Sequence, residues 1–259
     1  MHELILYGQV PTKRYEQILN ILAGMTGSQP QRRIERHVIY RPIRNPPKED
    51  SKSLKDQSIA TKSQKFDPKA KELYYVRLVK NLKQSDFGTS SEPLTNDDWR
   101  LVFWDIMDPA IKEVMMRAAM ETELETDDVE AYMTNLQYKQ HNHLIFDGQQ
   151  YVYGNIVLHL HTLRHFLDPQ PTEPTSPLPK LGDIPPVDPN SYLLQATVRV
   201  TDGTNTDQVK QGIAELQVLQ QRLENIIDLY APGRFDMPSR IWPAIGPAKA
   251  LERAAMASK

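Results

Sequence analysis

Apolar and polar residues alternate with a period of two over much of the chain and switch to helical spacing in a few places. Residues 3–10 set Leu4, Leu6 and Val10 on one side and Glu3 and Gln9 on the other, the pattern of a half-buried strand. Pro11 follows, suited to a helix start because its missing N–H has no intrahelical partner to lose there. Tyr15, Ile18, Leu19, Leu22 and Met25 then form an apolar stripe at helical spacing, closed by Gly24 and Gly27. Residues 34–43, 72–82 and 99–107 read as three further strands, the first stopped by Asn45-Pro46-Pro47. Between 111 and 125 the Ala, Met and Glu content favours helix, yet Val114, Met116, Ala118, Met120 and Leu124 alternate with polar neighbours. Asp127-Asp128-Val129-Glu130 resembles a helix cap, so a helix runs from there to about Leu136 and the segment before it is a strand.

Residues 138–146 and 151–166 pair as a hairpin around Asp147-Gly148, a favoured turn dipeptide. Another strand covers 192–200 and ends at Asp202-Gly203. Thr204, Asn205, Thr206 and Asp207 offer N-caps for the longest helix, which carries Val209, Ile213, Leu216, Leu223, Ile226 and Tyr230 on one side. It runs to Ala231-Pro232-Gly233, roughly 24 residues or about 36 Å at 1.5 Å per residue. About eight mostly consecutive strands with one early and one late helix indicate an α+β protein, mainly β, built on an antiparallel sheet. A sheet this wide curls, and a barrel or a strongly bent sheet is its natural closure.

Two stretches interrupt the pattern. Residues 45–70, rich in Lys, Ser, Asp and Gln, read as a mobile insertion with too little apolar surface to offset ordering entropy. Residues 168–190 contain eight prolines in 168–189 and read as a loop or spacer, with Ser176-Pro177 a conceivable modification site inside it. The remainder suits one domain over 1–240, followed by a flexible Ala-rich tail at 241–259.

Charge and composition narrow the function classes. The formal net charge of −2 offers no global basic field for nucleic acid or an anionic membrane. No apolar run approaches the roughly 18 residues of a spanning helix, and the N-terminus lacks the basic and apolar regions of a signal peptide. Without cysteine there are no disulfides, thiolate metal ligands or cysteine nucleophiles, a composition that suits an intracellular protein. Glycine-rich phosphate loops and the G-x-S-x-G elbow are absent. Arg32, Arg33, Arg36, Arg41 and Arg44 form a local basic stretch, read as a solvated strand face.

Two constellations remain. Residues 141–165 hold five of the seven histidines, His141, His143, His159, His161 and His165. Taking Val152, Ile156, Leu158 and Leu160 as the buried face of one strand, and Leu144 and Phe146 as that of the other, all five share the opposite face with Tyr151 and Tyr153. The pairs His141/His143 and His159/His161 then fall out of register for a common zinc ion, which needs nitrogens within about 2.1 Å. A two- or four-residue loop instead puts them on opposite faces. This side, and Tyr151, Tyr153, His159 and His161 in particular, is a candidate for partner contact, with no metal, cofactor or catalytic residue expected. Glu121, Glu123 and Glu125 alternate on one strand and could hold a divalent cation for phosphoryl chemistry, provided a second carboxylate strand and interior Lys or Arg accompany them.

"HELILYGQVPTKRYEQILNILAGMTGSQPQ" resembles the N-terminal strand and helix of the Mediator subunit 18 family, and "WRLVFWDIMDP", "YLLQATVRVTDGTNTDQV" and "LYAPGRFDMPSRI" resemble its later blocks in the same order. The resemblance implies a multistranded, tunnel-like antiparallel β-barrel with one short N-terminal and one long C-terminal helix. It implies a nuclear, non-catalytic subunit of the Mediator head module, a coactivator linking regulators to RNA polymerase II. Implied partners are Mediator subunit 20, the C-terminal helix of subunit 8, and the rest of the head with the polymerase. The barrel is also similar to triphosphate-tunnel enzymes, which makes a metal-dependent triphosphatase using Glu121, Glu123 and Glu125 the alternative; the paired carboxylates of their first strand are missing here.

Overall fold

The computed structural model describes residues 1–43, 74–88, 93–167 and 173–233. The expected insertion at 45–70 and the tail at 241–259 lie outside the described residues. The strands are β1 (His2–Pro11), β2 (Gln31–Pro42), β3 (Val76–Leu82), β4 (Arg100–Trp104), β5 (Met115–Glu123), β6 (Tyr138–Tyr153), β7 (Ile156–His165), β8 (Ser191–Val200) and β9 (Leu229–Tyr230). Helices α1 (Tyr15–Thr26), α2 (Val129–Asn135) and α3 (Thr206–Arg222) connect them. Every pairing is antiparallel, in the order β5-β4-β3-β2-β6-β7-β8-β1-β9. Pairing of β1 with β5, from His2↔Ala118 to Ile5↔Met115, closes β1–β8 into an eight-stranded barrel, and β9 adds two residues beside Tyr7 and Gly8. Eight strands leave an interior just wide enough for side chains to fill.

The apolar faces of the strands point outward. Leu4, Leu6, Leu158, Leu160, Leu194 and Ala196 are covered by Ile18 and Leu22 of α1 and by Val209, Leu216 and Leu219 of α3. Each such fully buried aliphatic side chain is worth about 1.5–3 kcal/mol. Val38, Tyr40 and Leu78 pack outside β2 and β3 against Trp99 and against Val129 and Met133 of α2. Helix starts follow capping chemistry: Asp128 accepts from the Glu130 and Ala131 amides, and Asn205 from those of Asp207 and Gln208. α3 is 17 residues, shorter than its periodicity suggests, because Leu223 caps it and Asn225 adopts a left-handed φ of 66°. The turn sends Leu229 and Tyr230 back onto β1.

Residues 173–190 are not a free spacer. Leu178, Leu181 and Ile184 are buried against Ile34, Leu82, Ile145 and Phe166 on the outer barrel wall. Backbone bonds fix them there: Leu94 N–H to Thr175 O at 2.8 Å, Val187 N–H to Leu163 O at 2.7 Å and Gly88 N–H to Leu178 O at 3.2 Å. The prolines remove donors but leave the Thr175 and Leu178 carbonyls to accept and the Val187 N–H to donate, so the segment forms an outer lid with no ladder of its own.

Candidate functional site: the barrel interior

The chain reverses at Gly154-Asn155, with Gly154 at φ 59°, and not at Asp147-Gly148. Tyr153 faces Ile156, Tyr151 faces Leu158 and Gln150 faces His159, so β6 runs unbroken for 16 residues. Gly148 is required inside the strand by close approach: a Cβ there would lie 2.3 Å from Leu160 O. A two-residue turn makes opposite residues share a face, which corrects the expected partition of the hairpin. Tyr151 and Tyr153 go outward with Leu158 and Ile156, while His159, His161 and His165 go inward. His143 goes outward, His141 is exposed at the β-bulge opposite Ile39 and Tyr40, and Val152, expected in the core, is 51% exposed at the inner rim.

The four expected contact residues therefore separate. Tyr151 is buried under α1, its hydroxyl donating to Leu19 O at 3.2 Å. Tyr153 is half-buried beside α3 and accepts from Arg222 Nη1. His161 is fully buried and His159 nearly so, their rings stacked at 4.4 Å inside the barrel. Phe146 stacks between His161 and His37 of β2, at 5.2 and 4.0 Å.

Around these rings the inner face is charged. Glu35 accepts from Arg33 Nη2 at 2.7 Å, from Arg100 Nη2 at 3.1 Å and from His37 Nε2 at 3.4 Å. Arg100 also donates to Glu121, whose second oxygen lies 3.9 Å from Arg199. Arg199 reaches Glu3 at 3.4 Å, and Glu3 accepts from Arg117 Nε and Nη2 at 3.1 and 2.9 Å. The result is one chain of ion pairs, Arg33–Glu35–Arg100–Glu121–Arg199–Glu3–Arg117, crossing the barrel. The Arg77 and Arg117 guanidiniums each sit 3.8 Å from the Trp104 ring centroid, where the ring's π face receives them. Arg33, Arg100, Arg117, Arg199, Glu3 and Glu121 line an open cavity of about 290 Å³, with His37 and His159 on its wall. Its far end is stoppered by Ile5, Tyr7, Met115 and Leu193.

Burial drives the proton equilibria here. Burial works to raise the Glu35 carboxyl, but the hydrogen bond from His37 and the charge of Arg33 outweigh it and hold it well below the usual carboxylate range. Burial, then the neighbouring His161 and Arg33, lowers His159 to about 3. Burial lowers His161 to about 4 against the hydrogen bond its Nδ1 makes with His159 O. Both rings are neutral at pH 7, and Nε2 of each is buried with no hydrogen-bond partner among the described residues.

The outward His143 belongs to the lid. Arg36, fully buried, donates to His143 Nδ1 at 3.1 Å, to Ser176 O at 2.9 Å and to Glu173 O at 3.1 Å. Burial, then Arg36, lowers His143 to about 3. Ser176 Oγ accepts the Glu173 amide at 3.1 Å. The basic stretch is thus not one solvated face: Arg33 turns inward, Arg36 is sealed beneath the lid, and Arg32 pairs outside with Asp147. Arg44 lies outside the described residues.

The three alternating glutamates also part. Glu121 is an interior ion-pair partner, whereas Glu123 and Glu125 are exposed and line an open groove with Asp97, Asp98 and Asp127. Among the described residues no three His, Asp or Glu side chains gather as a metal site. Pattern reading missed Arg117, Arg199 and Glu35; the signal was the inward parity they share with Glu3 and Glu121.

A barrel with this inner face can neutralise charge and hold an anion; as a scaffold it presents helices and a lid to its surroundings. Among solved structures it is similar to the Schizosaccharomyces pombe Mediator head module, with a TM-score of 0.64 at 19% identity, over 90% of this chain and 99% of that one. Mediator of RNA polymerase II transcription subunit 18 from Aspergillus fumigatus is 26% identical over 93% of this chain and 99% of its own length. The subunit of that name from Coccidioides immitis is 26% identical over 93% of this chain and 100% of its own. The family model described as Med18 protein matches residues 2–240, nearly the whole barrel and its helices, and the chain belongs to that family.

Proposed function

We propose that this chain is a non-catalytic structural subunit of the Mediator head, acting in the nucleus as part of a coactivator that links transcription regulators to RNA polymerase II. The observation that carries the reading is the family match over residues 2–240. The interior fits it, since Glu3, Glu35 and Glu121 are each held in ion pairs with arginines. Residues 1–240 act as the barrel domain, with 241–259 as an appended tail.

Mediator subunit 20 and the C-terminal helix of subunit 8 are the proposed direct partners, with the rest of the head and the polymerase beyond them. Contact uses outward surfaces: α1, α3, the lid and, of the four residues singled out by sequence, Tyr153 beside Arg222. Co-expression with subunits 20 and 8 tests this. A stable complex is expected on size exclusion, weakened by Tyr153→Ala. Failure of the wild-type chain to associate with either subunit would overturn the reading.

A further inference from the structure

The inner face holds more positive charge than its carboxylates neutralise. Arg33, Arg77, Arg100, Arg117 and Arg199 point inward, against Glu3, Glu35, Glu121 and, exposed at the mouth opposite Arg100, Glu123. Among the described residues no carboxylate lies within ion-pair distance of Arg77. The four arginines lining the cavity present about twenty N–H donors at five each. Seven hydrogen bonds to side-chain acceptors are made by Arg33, Arg100 and Arg117, and Arg199 contributes only ion pairs. Surplus charge in a wall of low polarity is unfavourable without a counter-ion, because water screens it poorly there.

We propose that the barrel interior binds a small polyvalent oxyanion of the phosphate or diphosphate kind, held by Arg33, Arg100, Arg117 and Arg199. The guanidiniums arrive from β2, β4, β5 and β8, on different sides of one cavity. Tetrahedral phosphoryl oxygens can meet guanidiniums arriving from several sides of one cavity at once. The volume of about 290 Å³ fits such an anion; at about 30 Å³ per molecule it equals on the order of ten waters. His159 Nε2 and His37 Nδ1, both buried without a hydrogen-bond partner, lie in the cavity wall as further polar contacts. Binding is without turnover, and the site does not depend on the assembly role proposed above. The phosphoryl group comes either from a free diphosphate-type anion or from a phosphorylated side chain entering the open mouth.

Calorimetric titration of the full chain with pyrophosphate, at ionic strength matched with chloride, tests the site. A phosphoserine hexapeptide, with its unphosphorylated form as control, is the second arm. Saturable binding of pyrophosphate alone assigns a free anion; tighter binding of the phosphopeptide assigns a phosphorylated segment. Arg33→Gln and Arg199→Gln sit at the rim, their side chains 32% and 51% exposed, and each keeps the carboxylate beside it paired to another arginine. Each is expected to weaken binding about tenfold, while Lys210→Gln on the outer face of α3 leaves it unchanged. Should the rim variants fold poorly, ring C–H shifts on adding pyrophosphate to wild type locate the site: His37 and His159 move and exposed His141 does not. No binding of either probe at millimolar concentration, equal weakening by Lys210→Gln, or shifts confined to His141 would each overturn the proposal.

Discussion

Lowering the pH from 7 to 5 probes the placement of His143, His159 and His161. Burial holds these rings at about 3, 3 and 4, against an ordinary value of 6.5 for exposed imidazole. Between those limits the unfolded chain binds protons that the folded chain refuses, so stability falls as pH falls. For one such histidine the loss between pH 7 and pH 5 is about 2 kcal/mol, and the three together cost about 6 kcal/mol. Domains of this kind are stable by only about 5–15 kcal/mol, so the effect is large. Glu35 acts in the same direction at lower pH: its stabilising contribution is present above the ordinary carboxylate value and is lost as pH falls through the depressed one. Urea unfolding followed by tryptophan fluorescence reads this out. With a slope of about 2 kcal/mol per molar urea, the midpoint drops by about 3 M between pH 7 and pH 5. His143→Gln and His159→Gln each remove about a third of that difference. A midpoint that stays within a few tenths molar across this range refutes the buried, neutral placement of the rings.

Other substitutions test the wall and the lid. Gly148→Ala drives a methyl group to 2.3 Å from Leu160 O and 2.5 Å from His161 Cβ, so a loss of about 3 kcal/mol is expected in the same urea assay. Arg36→Met strips the lid of its bonds to Ser176 O and Glu173 O and leaves His143 Nδ1 without its donor. A cost of about 3 kcal/mol follows, with faster amide exchange and proteolysis across 173–190; unchanged protection there refutes the latch. Asn205→Ala removes the cap from the Asp207 and Gln208 amides and costs about 1 kcal/mol of thermal stability.

Strand and helix types were legible because alternation and stripes register burial directly. Asp128 and Asn205 announced their helices through caps whose chemistry is local. The hairpin's parity was not legible. Asp147-Gly148 and Gly154-Asn155 both suit a turn, and only tertiary packing reveals that Gly148 is needed for closeness to β7 while Gly154 carries the positive φ. A turn at Asp147-Gly148 would put Tyr151 and Val152 on the faces opposite to those they occupy. α3 ended early because Leu223, Ile226 and Tyr230 continue the stripe while Asn225 breaks the backbone. The lid was hidden by its prolines, although Leu178, Leu181 and Ile184 recur at three-residue spacing within it. Apart from Arg33 with Glu35 on one strand, the interior ion pairs escaped because they join strands far apart in sequence, as Glu3 with Arg117 does. Read together, Arg33-Glu35-His37 and Gln195-Thr197-Arg199 are polar faces of period two, the local trace of a charged barrel interior.

Affinity purification of the tagged full chain from nuclei of its own cells bears most directly on its role. Mediator subunits 20 and 8 should elute with it in near-stoichiometric amounts and persist through a salt wash, with the remaining head subunits present. Recovery of the chain alone, or with proteins unrelated to Mediator, would contradict its assignment as a structural subunit of that assembly.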